Sequence, residues 1–200
     1  AVEAGIGILG VGIMSRVDAP DPASLDRNDV PGFDRTALGR WSDSADRASD
    51  LTKNASVLCA LFAVSYPLLN HGNDSFSPFI ENLVMYAETA MLASGMTAVA
   101  KGAVHRSRPY AYNTSVPSDT RAERDAALSF WSGHASGAFA AAIFAGTVFH
   151  AREPDSKLVV PVWIGSLTAA TATGVLRVRA GRHFPSDVAV AASVGAFSGW

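Results

Sequence analysis

The stretch LVVPVWIGSLTAATATGVL, residues Leu158 to Leu176, contains nineteen residues and no charged side chain. A helix that crosses a bilayer needs about 20 predominantly apolar residues, with a range of roughly 17–25, and this stretch meets that requirement. Alanine, leucine and methionine dominate several of the apolar stretches, and strict alternation of apolar and polar residues is absent. The pattern therefore predicts helices rather than strands.

Five further apolar stretches lie on either side of it. Two of them, Ala55–Leu69 and Ala135–Phe149, fall short of the length that spans a bilayer and fit core helices. The others are Gly5–Met14, Phe79–Ala100 and a run that begins near Pro185. We therefore expect a single domain over residues 1–200 with an all-α fold, a helical bundle of about six helices.

The composition excludes several classes of protein. Of the 200 residues, 48% are hydrophobic and 17% are charged, and the formal net charge is −2. So apolar a chain buries enough surface to fold, and its near-neutral balance argues against nucleic-acid binding. The single cysteine, Cys59, excludes an intramolecular disulfide and a cysteine-rich zinc site. A helix-rich soluble domain and a small membrane protein both remain open.

Charged residues are concentrated in the connections between the apolar stretches. Residues 15–54 hold 14 of the 34 charged side chains, and residues 101–125 hold eight more. Within the first of these connections, Ser42–Asp50 predicts the start of a surface helix with its charges on the solvated face. We assign this segment no chemistry.

Three clusters of basic, hydroxyl and imidazole side chains stand at the ends of apolar stretches. In an antiparallel bundle, the end of the third stretch, the start of the fourth, the end of the fifth and the start of the sixth share one side. The three clusters therefore converge on one face. Their members are Lys101, Arg108 and Pro109; Ser132, Gly133 and His134; and Arg177, His183 and Asp187.

This face has the groups needed to bind and cleave a phosphate ester. Arg108 and Arg177 can each hold phosphate oxygens through two N–H groups, and Lys101 adds a point charge. Ser132 is placed to cap the fourth helix, whose first amides would point toward an anion. Two histidines supply a nucleophile and an acid for the leaving oxygen. No cluster has metal-ligand spacing, so we expect no metal and no cofactor.

The order and spacing of these residues resemble a known signature. Lys101-x6-Arg108-Pro109, Ser132-Gly133-His134 and Arg177-x5-His183-x3-Asp187 look like the three motifs of the type-2 phosphatidic acid phosphatase superfamily. That superfamily includes lipid phosphatases, bacterial non-specific acid phosphatases and vanadium haloperoxidases. The chain departs from the family pattern at Trp131, where proline is usual, and at Leu176, where serine is usual. These departures bear on the substrate more than on the reaction.

The resemblance implies a role for each residue of the signature. His183 would be the nucleophile that forms a phosphohistidine, and Asp187 would orient it by accepting the proton on one imidazole nitrogen. His134 would be the acid toward the leaving group and then the base that activates water. The phosphate would be bound by Lys101, Arg108, Ser132, Gly133 and Arg177.

We therefore expect a metal-independent phosphatase that hydrolyses a phosphate monoester or diphosphate of a lipid. The resemblance favours a bacterial inner membrane location with the active site facing the periplasm. The expected partners are the membrane and a phosphorylated lipid or other phosphate ester, and no nucleic acid. A soluble periplasmic acid phosphatase and a vanadate-dependent haloperoxidase remain as alternatives. Arg106, Arg179 and Arg182 fit either attraction of a polyanionic substrate or helix-end and headgroup contacts.

Overall fold

The computed structural model describes residues 12, 16–70 and 72–200. Apart from Gly12, the apolar stretch Gly5–Met14 lies outside these residues. Six α-helices and no strand are present in the described part of the chain, which confirms the all-α prediction. The helices are α1 (Asp43–Asn70), α2 (Phe76–Val104), the short α3 (Ser118–Arg121), α4 (Gly133–Arg152), α5 (Val159–Arg179) and α6 (Pro185–Gly199).

Helix α1 is longer than the sequence predicts. The charged segment Ser42–Asp50 and the apolar stretch Ala55–Leu69 form one continuous helix, because the residues that join them include neither glycine nor proline. Pro67 lies near the end of this helix. The predicted helix start over Ser42–Asp50 is confirmed, but not all of its charges lie on a solvated face, because Asp46 and Asp50 contact Arg177 and His134 of the bundle.

Helix α4 is the centre of the bundle and packs against α1, α2, α5 and α6. Six of its seven alanines are almost completely buried, among them Ala135, Ala138 and Ala142. Close packing also uses glycine: a Cβ on Gly195 of α6 would lie 2.3 Å from the carbonyl oxygen of Ser136. Small residues let the helix axes approach, and they explain why the alanine-rich stretch of α4 becomes a core helix.

Within the described residues, three segments are long and apolar enough to cross a membrane. They are α1, the segment Phe76–Tyr112 that contains α2, and α5. Large apolar side chains on these helices point away from the protein: Leu69 is 73% exposed, Phe76 is 65% exposed and Ile164 is 62% exposed. An apolar surface of this extent marks a region that meets lipid or another protein.

The starts of α1, α4 and α6 lie at the same end of the bundle as the ends of α2 and α5. The N-terminal segment also covers this end, where Val30 and Ala37 pack against the buried Phe184. Gly181 has a positive φ of 73°, and a Cβ there would lie 2.1 Å from the carbonyl oxygen of Arg40. Only glycine fits both this conformation and this approach.

Candidate active site

His183 lies between α5 and α6 and is 1% exposed. Its Nδ1 is 2.7 Å from the carbonyl oxygen of Ser129. Because a carbonyl can only accept, Nδ1 carries the proton and donates it to Ser129. Burial lowers the pKa of His183 well below its usual value, and the charges of Arg108, Lys101 and Arg177 lower it further. The imidazole is therefore neutral, with its lone pair on Nε2.

The carboxylate of Asp187 belongs to the first turn of α6. It accepts hydrogen bonds from the backbone N–H of Phe184 at 2.9 Å, the hydroxyl of Ser129 at 2.5 Å and Nη1 of Arg106 at 2.6 Å. The shortest separation between its carboxylate and Nδ1 of His183 is 3.8 Å, too long for a hydrogen bond. The expected direct hydrogen bond between Asp187 and His183 is therefore wrong, since Ser129 lies between them.

Ser129 is a residue that the sequence reasoning missed. It is fully buried and joins the two groups through different atoms: its hydroxyl donates to Asp187 and its carbonyl accepts from His183. The signal available in the sequence was its position three residues before Ser132, and this position alone did not indicate a contact with His183 or Asp187. The structure makes Ser129 the direct contact of the His183 ring.

Arg106 and Asp34 extend this network. Nη2 of Arg106 donates to Oδ2 of Asp34 at 2.7 Å, while its Nη1 donates to Asp187. Asp34 also accepts from the backbone N–H and the hydroxyl of Ser186 at 2.9 and 2.6 Å. Burial alone would raise the pKa of Asp34, but the hydrogen bonds from Ser186 and Arg106 outweigh it and lower that pKa. Arg106 is thus held by two carboxylates, one of them from the N-terminal segment.

Arg177 is 5% exposed, near the end of α5. Its Nη1 donates to Oδ1 of Asp46 and to the hydroxyl of Ser49 at 3.3 Å. Arg182 donates to the other oxygen of Asp46, at 2.7 Å from Nη2 and 3.0 Å from Nε. Within the described residues, Nε of Arg177 is buried and has no hydrogen-bond partner.

Arg108 and Lys101 hold the connection between α2 and α4. Nη2 of Arg108 lies 2.7 Å from Oδ1 of Asp125, and its Nε donates to the carbonyl oxygen of the same residue at 2.9 Å. Nζ of Lys101 donates to the carbonyl oxygen of Leu128. Both cations therefore find their acceptors among the protein atoms of this connection.

The start of α4 follows the sequence prediction. Ser132 caps the helix, accepting from the backbone N–H of Ala135 at 3.3 Å, and Gly133 is the first helical residue. Nε2 of His134 lies 2.7 Å from Oδ1 of Asp50 on α1. Burial, followed by the charge of Arg177, lowers the pKa of His134 to about 4, and the hydrogen bond to Asp50 only partly offsets this.

The eight predicted site residues all lie at the same end of the bundle. Three acidic partners, Asp46, Asp50 and Asp125, were not predicted, and each accepts a hydrogen bond from an arginine or lies within hydrogen-bond distance of a histidine of the signature. Across the described ranges, no three His, Cys, Asp or Glu side chains are grouped as a metal site requires. The arrangement presents cationic donors and two imidazoles to an anion.

A comparison with protein-family models identifies the class. Residues 82–200 match the model of the PAP2 superfamily, and this range covers more than half of the chain. The chain therefore belongs to the PAP2 superfamily. The resemblance inferred from the three motifs is confirmed. A comparison with curated proteins gives no significant match.

Among solved structures, the fold is similar to that of a transmembrane PAP2-type phosphatidylglycerolphosphate phosphatase from Bacillus subtilis. The TM-score is 0.59 at 17% sequence identity, and the match covers 98% of this chain and 92% of that chain. The described residues of this chain contain three segments able to span a membrane, within a fold similar to that of a transmembrane protein.

Proposed function

We propose that this protein hydrolyses a phosphate monoester or diphosphate of a membrane lipid, without a metal ion, through a phosphohistidine on His183. The observation that carries the proposal is the buried guanidinium of Arg177, whose Nε has no acceptor in the described residues. A buried charged donor that lacks an acceptor is costly. A phosphate oxygen would supply that acceptor. The charge of Arg177 lowers the pKa values of both His134 and His183, so a phosphate bound to Arg177 would lie near both imidazoles.

The first chemical step uses the free lone pair of His183. Nε2 attacks phosphorus, the P–N bond forms, and the bond from phosphorus to the leaving oxygen breaks. Nδ1 keeps its proton throughout, held by the carbonyl of Ser129 at 2.7 Å. Lys101, Arg108 and Arg177 neutralise charge on the phosphoryl oxygens, while Ser132 and Gly133 place the amides at the start of α4 toward them.

His134 moves the protons. As the leaving oxygen departs, protonated His134 gives it a proton. Neutral His134 then takes a proton from the water that attacks the phosphohistidine, and phosphate is released. The bound phosphate brings negative charge near Arg177, which counteracts the effect of that cation on the pKa of His134. Asp50, at 2.7 Å from Nε2, stabilises the protonated ring.

Phosphate release by the purified protein tests the reaction. We expect hydrolysis of lipid monophosphates or prenyl diphosphates with a chelator present, and no turnover by His183→Ala. Rapid quenching with labelled substrate should trap phosphate on the wild-type chain and none on the variant. Turnover by His183→Ala at the wild-type rate would mean that another group is the nucleophile. Halide oxidation with added vanadate, and no phosphate release, would favour a haloperoxidase instead.

The location of the protein is tested separately. Fractionation without detergent should leave the protein in the membrane, because three segments can span it. We propose an inner membrane location with the site facing the periplasm. In a Cys59→Ser background, Ser115→Cys at the site end should react with an impermeant thiol reagent in intact cells, whereas Asp155→Cys at the opposite end should react only after lysis. The reverse labelling would place the site on the cytoplasmic side.

A further inference from the structure

Two adjoining cavities lie along the contact of α2 with α4, the second of them bordered also by α1, and together they form a groove that leads away from the candidate active site. The first, of about 240 Å³, is lined by residues that include Lys101 and Gly133. The second, of about 130 Å³, is lined by residues that include Tyr86 and Ala141. Both are lined by Ser94 and Gly137, so the cavities meet there. We call them together the α2–α4 groove.

Glycine keeps this groove open. A Cβ on Gly137 would meet nothing within 4 Å, whereas a Cβ on Gly146, farther along the same helix, would lie 2.3 Å from the ring of Trp163. The glycines of α4 therefore serve different purposes. At Gly146 the missing side chain lets α5 pack tightly, and at Gly137 it leaves empty space facing α2.

The walls of the groove suit a hydrocarbon. Alanines line it on both sides, including Ala93 and Ala98 of α2 and Ala140 of α4. The hydroxyl of Thr97 is already bonded, donating to the carbonyl of Ala93 at 2.8 Å and accepting from the indole N–H of Trp131 at 2.8 Å. Trp131, the residue that departs from the family pattern, thus binds a groove-lining residue with its indole nitrogen. Lys53 also lines the second cavity, and its aliphatic stem is compatible with apolar surroundings.

The length and direction of the groove select its occupant. On α4 the lining runs from Gly133 to Ala141, about 12 Å at 1.5 Å per residue, and on α2 from Lys101 to Tyr86, about 22 Å. These lengths bracket half of the ~30 Å hydrocarbon core of a bilayer. A narrow groove that starts at a phosphate-binding lysine and runs along a membrane-capable helix for the depth of one leaflet matches a single lipid chain.

We propose that the α2–α4 groove binds one hydrocarbon chain of the substrate while its phosphate is held beside Lys101 and Gly133. This proposal rests on the proposed lipid phosphatase function and adds the site that distinguishes a lipid from a small phosphate ester. The groove contributes to the binding of long chains, and it is not needed for the chemical step.

Filling the groove tests this proposal. Gly137→Leu adds a side chain whose Cβ would meet nothing within 4 Å, so its branched end should extend into the groove and block it. We expect kcat/KM for dioleoyl phosphatidic acid in mixed micelles to fall about tenfold or more, since each buried methylene contributes to binding. Hydrolysis of p-nitrophenyl phosphate should stay at the wild-type rate. Gly165→Leu on α5 is the matched control, because a Cβ there also meets nothing within 4 Å.

A second variant and a binding measurement make the outcomes unambiguous. Ala90→Leu obstructs the groove from α2 and should show the same loss for the lipid alone. A phosphatidic acid with a photoreactive group in its chain should label peptides that contain Ala90 or Gly137. Wild-type enzyme that cleaves neither ester would overturn the proposed function. Cleavage of both esters, with lipid kinetics and labelling unaffected by both variants, would overturn only the groove.

Discussion

The hydroxyl of Ser129 donates to Asp187 at 2.5 Å, and the carbonyl of Ser129 accepts from Nδ1 of His183 at 2.7 Å. A single buried residue therefore connects the acidic member of the third motif to its histidine. The hydrogen-bonded connection from Asp187 to the ring runs through Ser129, whose carbonyl fixes the tautomer and whose hydroxyl helps to position the carboxylate.

Ser129→Ala should lower kcat by about tenfold or more with little change in KM, because a hydrogen bond to a charged group is worth roughly 1.5–3 kcal/mol. The backbone carbonyl remains, so His183 keeps its proton on Nδ1 while Asp187 loses one donor. Ser136→Ala is the control: Ser136 is equally buried, and its hydroxyl has no partner in the described residues. Steady-state kinetics on a soluble ester measures the effect. Equal kinetics for the two variants would show that the hydroxyl of Ser129 does not contribute to turnover.

Asp34→Ala should lower both stability and kcat. Asp34 is 2% exposed and holds Arg106, which in turn holds Asp187. Removal of one member of a buried ion pair costs about 3–5 kcal/mol. We therefore expect a lower thermal midpoint in detergent and slower turnover. Asp29→Ala, at an exposed position of the same segment, should change neither. A wild-type rate for Asp34→Ala would show that Arg106 positions Asp187 without help.

Asp46→Asn should strengthen inhibition by inorganic phosphate. Asp46 occupies donors of both Arg177 and Arg182. Neutralising Asp46 removes a negative charge that competes with the phosphate for these arginines. Two unit charges ~4 Å apart interact by at least about 1 kcal/mol, so we expect phosphate to inhibit the variant at least about fivefold more tightly. Asp43→Asn, nearer the start of the same helix and exposed, is the control. Weaker inhibition for Asp46→Asn would mean that the carboxylate chiefly orients Arg177.

His134→Ala should discriminate between leaving groups. An alkyl phosphate needs protonation as it leaves, whereas p-nitrophenolate does not, so the variant should lose about 100-fold or more on the first and much less on the second. The ratio of the two kcat/KM values measures this directly. A uniform loss on both esters would argue that His134 binds phosphate and does not transfer a proton.

The buried His183 and the half-buried His134 predict a loss of stability in acid. Burial and neighbouring cations lower the pKa of His134 to about 4 and that of His183 well below its usual value. Unfolded histidine titrates near about 6.5, so below that pH the unfolded chain takes up protons that the native protein does not, and the free energy of unfolding falls. The thermal midpoint should decrease from about pH 6.5 toward 4. His134→Gln should reduce that decrease, and an unchanged slope would contradict the assignment.

The sequence was sufficient for the helical class and for the end of the bundle where the site lies. Apolar stretches of helical composition define the elements, and antiparallel neighbours bring Lys101, Ser132 and Arg177 together. The direct partner of His183 was not predictable, because Ser129 acts partly through its backbone carbonyl, which every residue possesses. Local spacing indicated Asp187 as the partner of the ring, since it stands four residues from His183. Spacing along the chain carries no information on Ser129, which comes from a distant loop and lies between the two side chains.

The acidic partners were missed for a related reason. Asp46 and Asp50 lie in a segment whose mixed charges fit a solvated surface equally well, and their contacts are 131 and 84 positions away in the chain. Charge pattern alone does not distinguish a helix that ends in solvent from one whose first turns face a site. That distinction requires the packing of α1 against the rest of the bundle.

The order of these residues along the chain has a consequence for biosynthesis. Asp46 and Asp50 are made as part of α1, well before the ribosome reaches His134 and Arg177. When the later helices join the bundle, their cationic and imidazole groups meet carboxylates that are already in position. The positive charges at this end of the bundle can thus be buried during assembly with carboxylates as their partners.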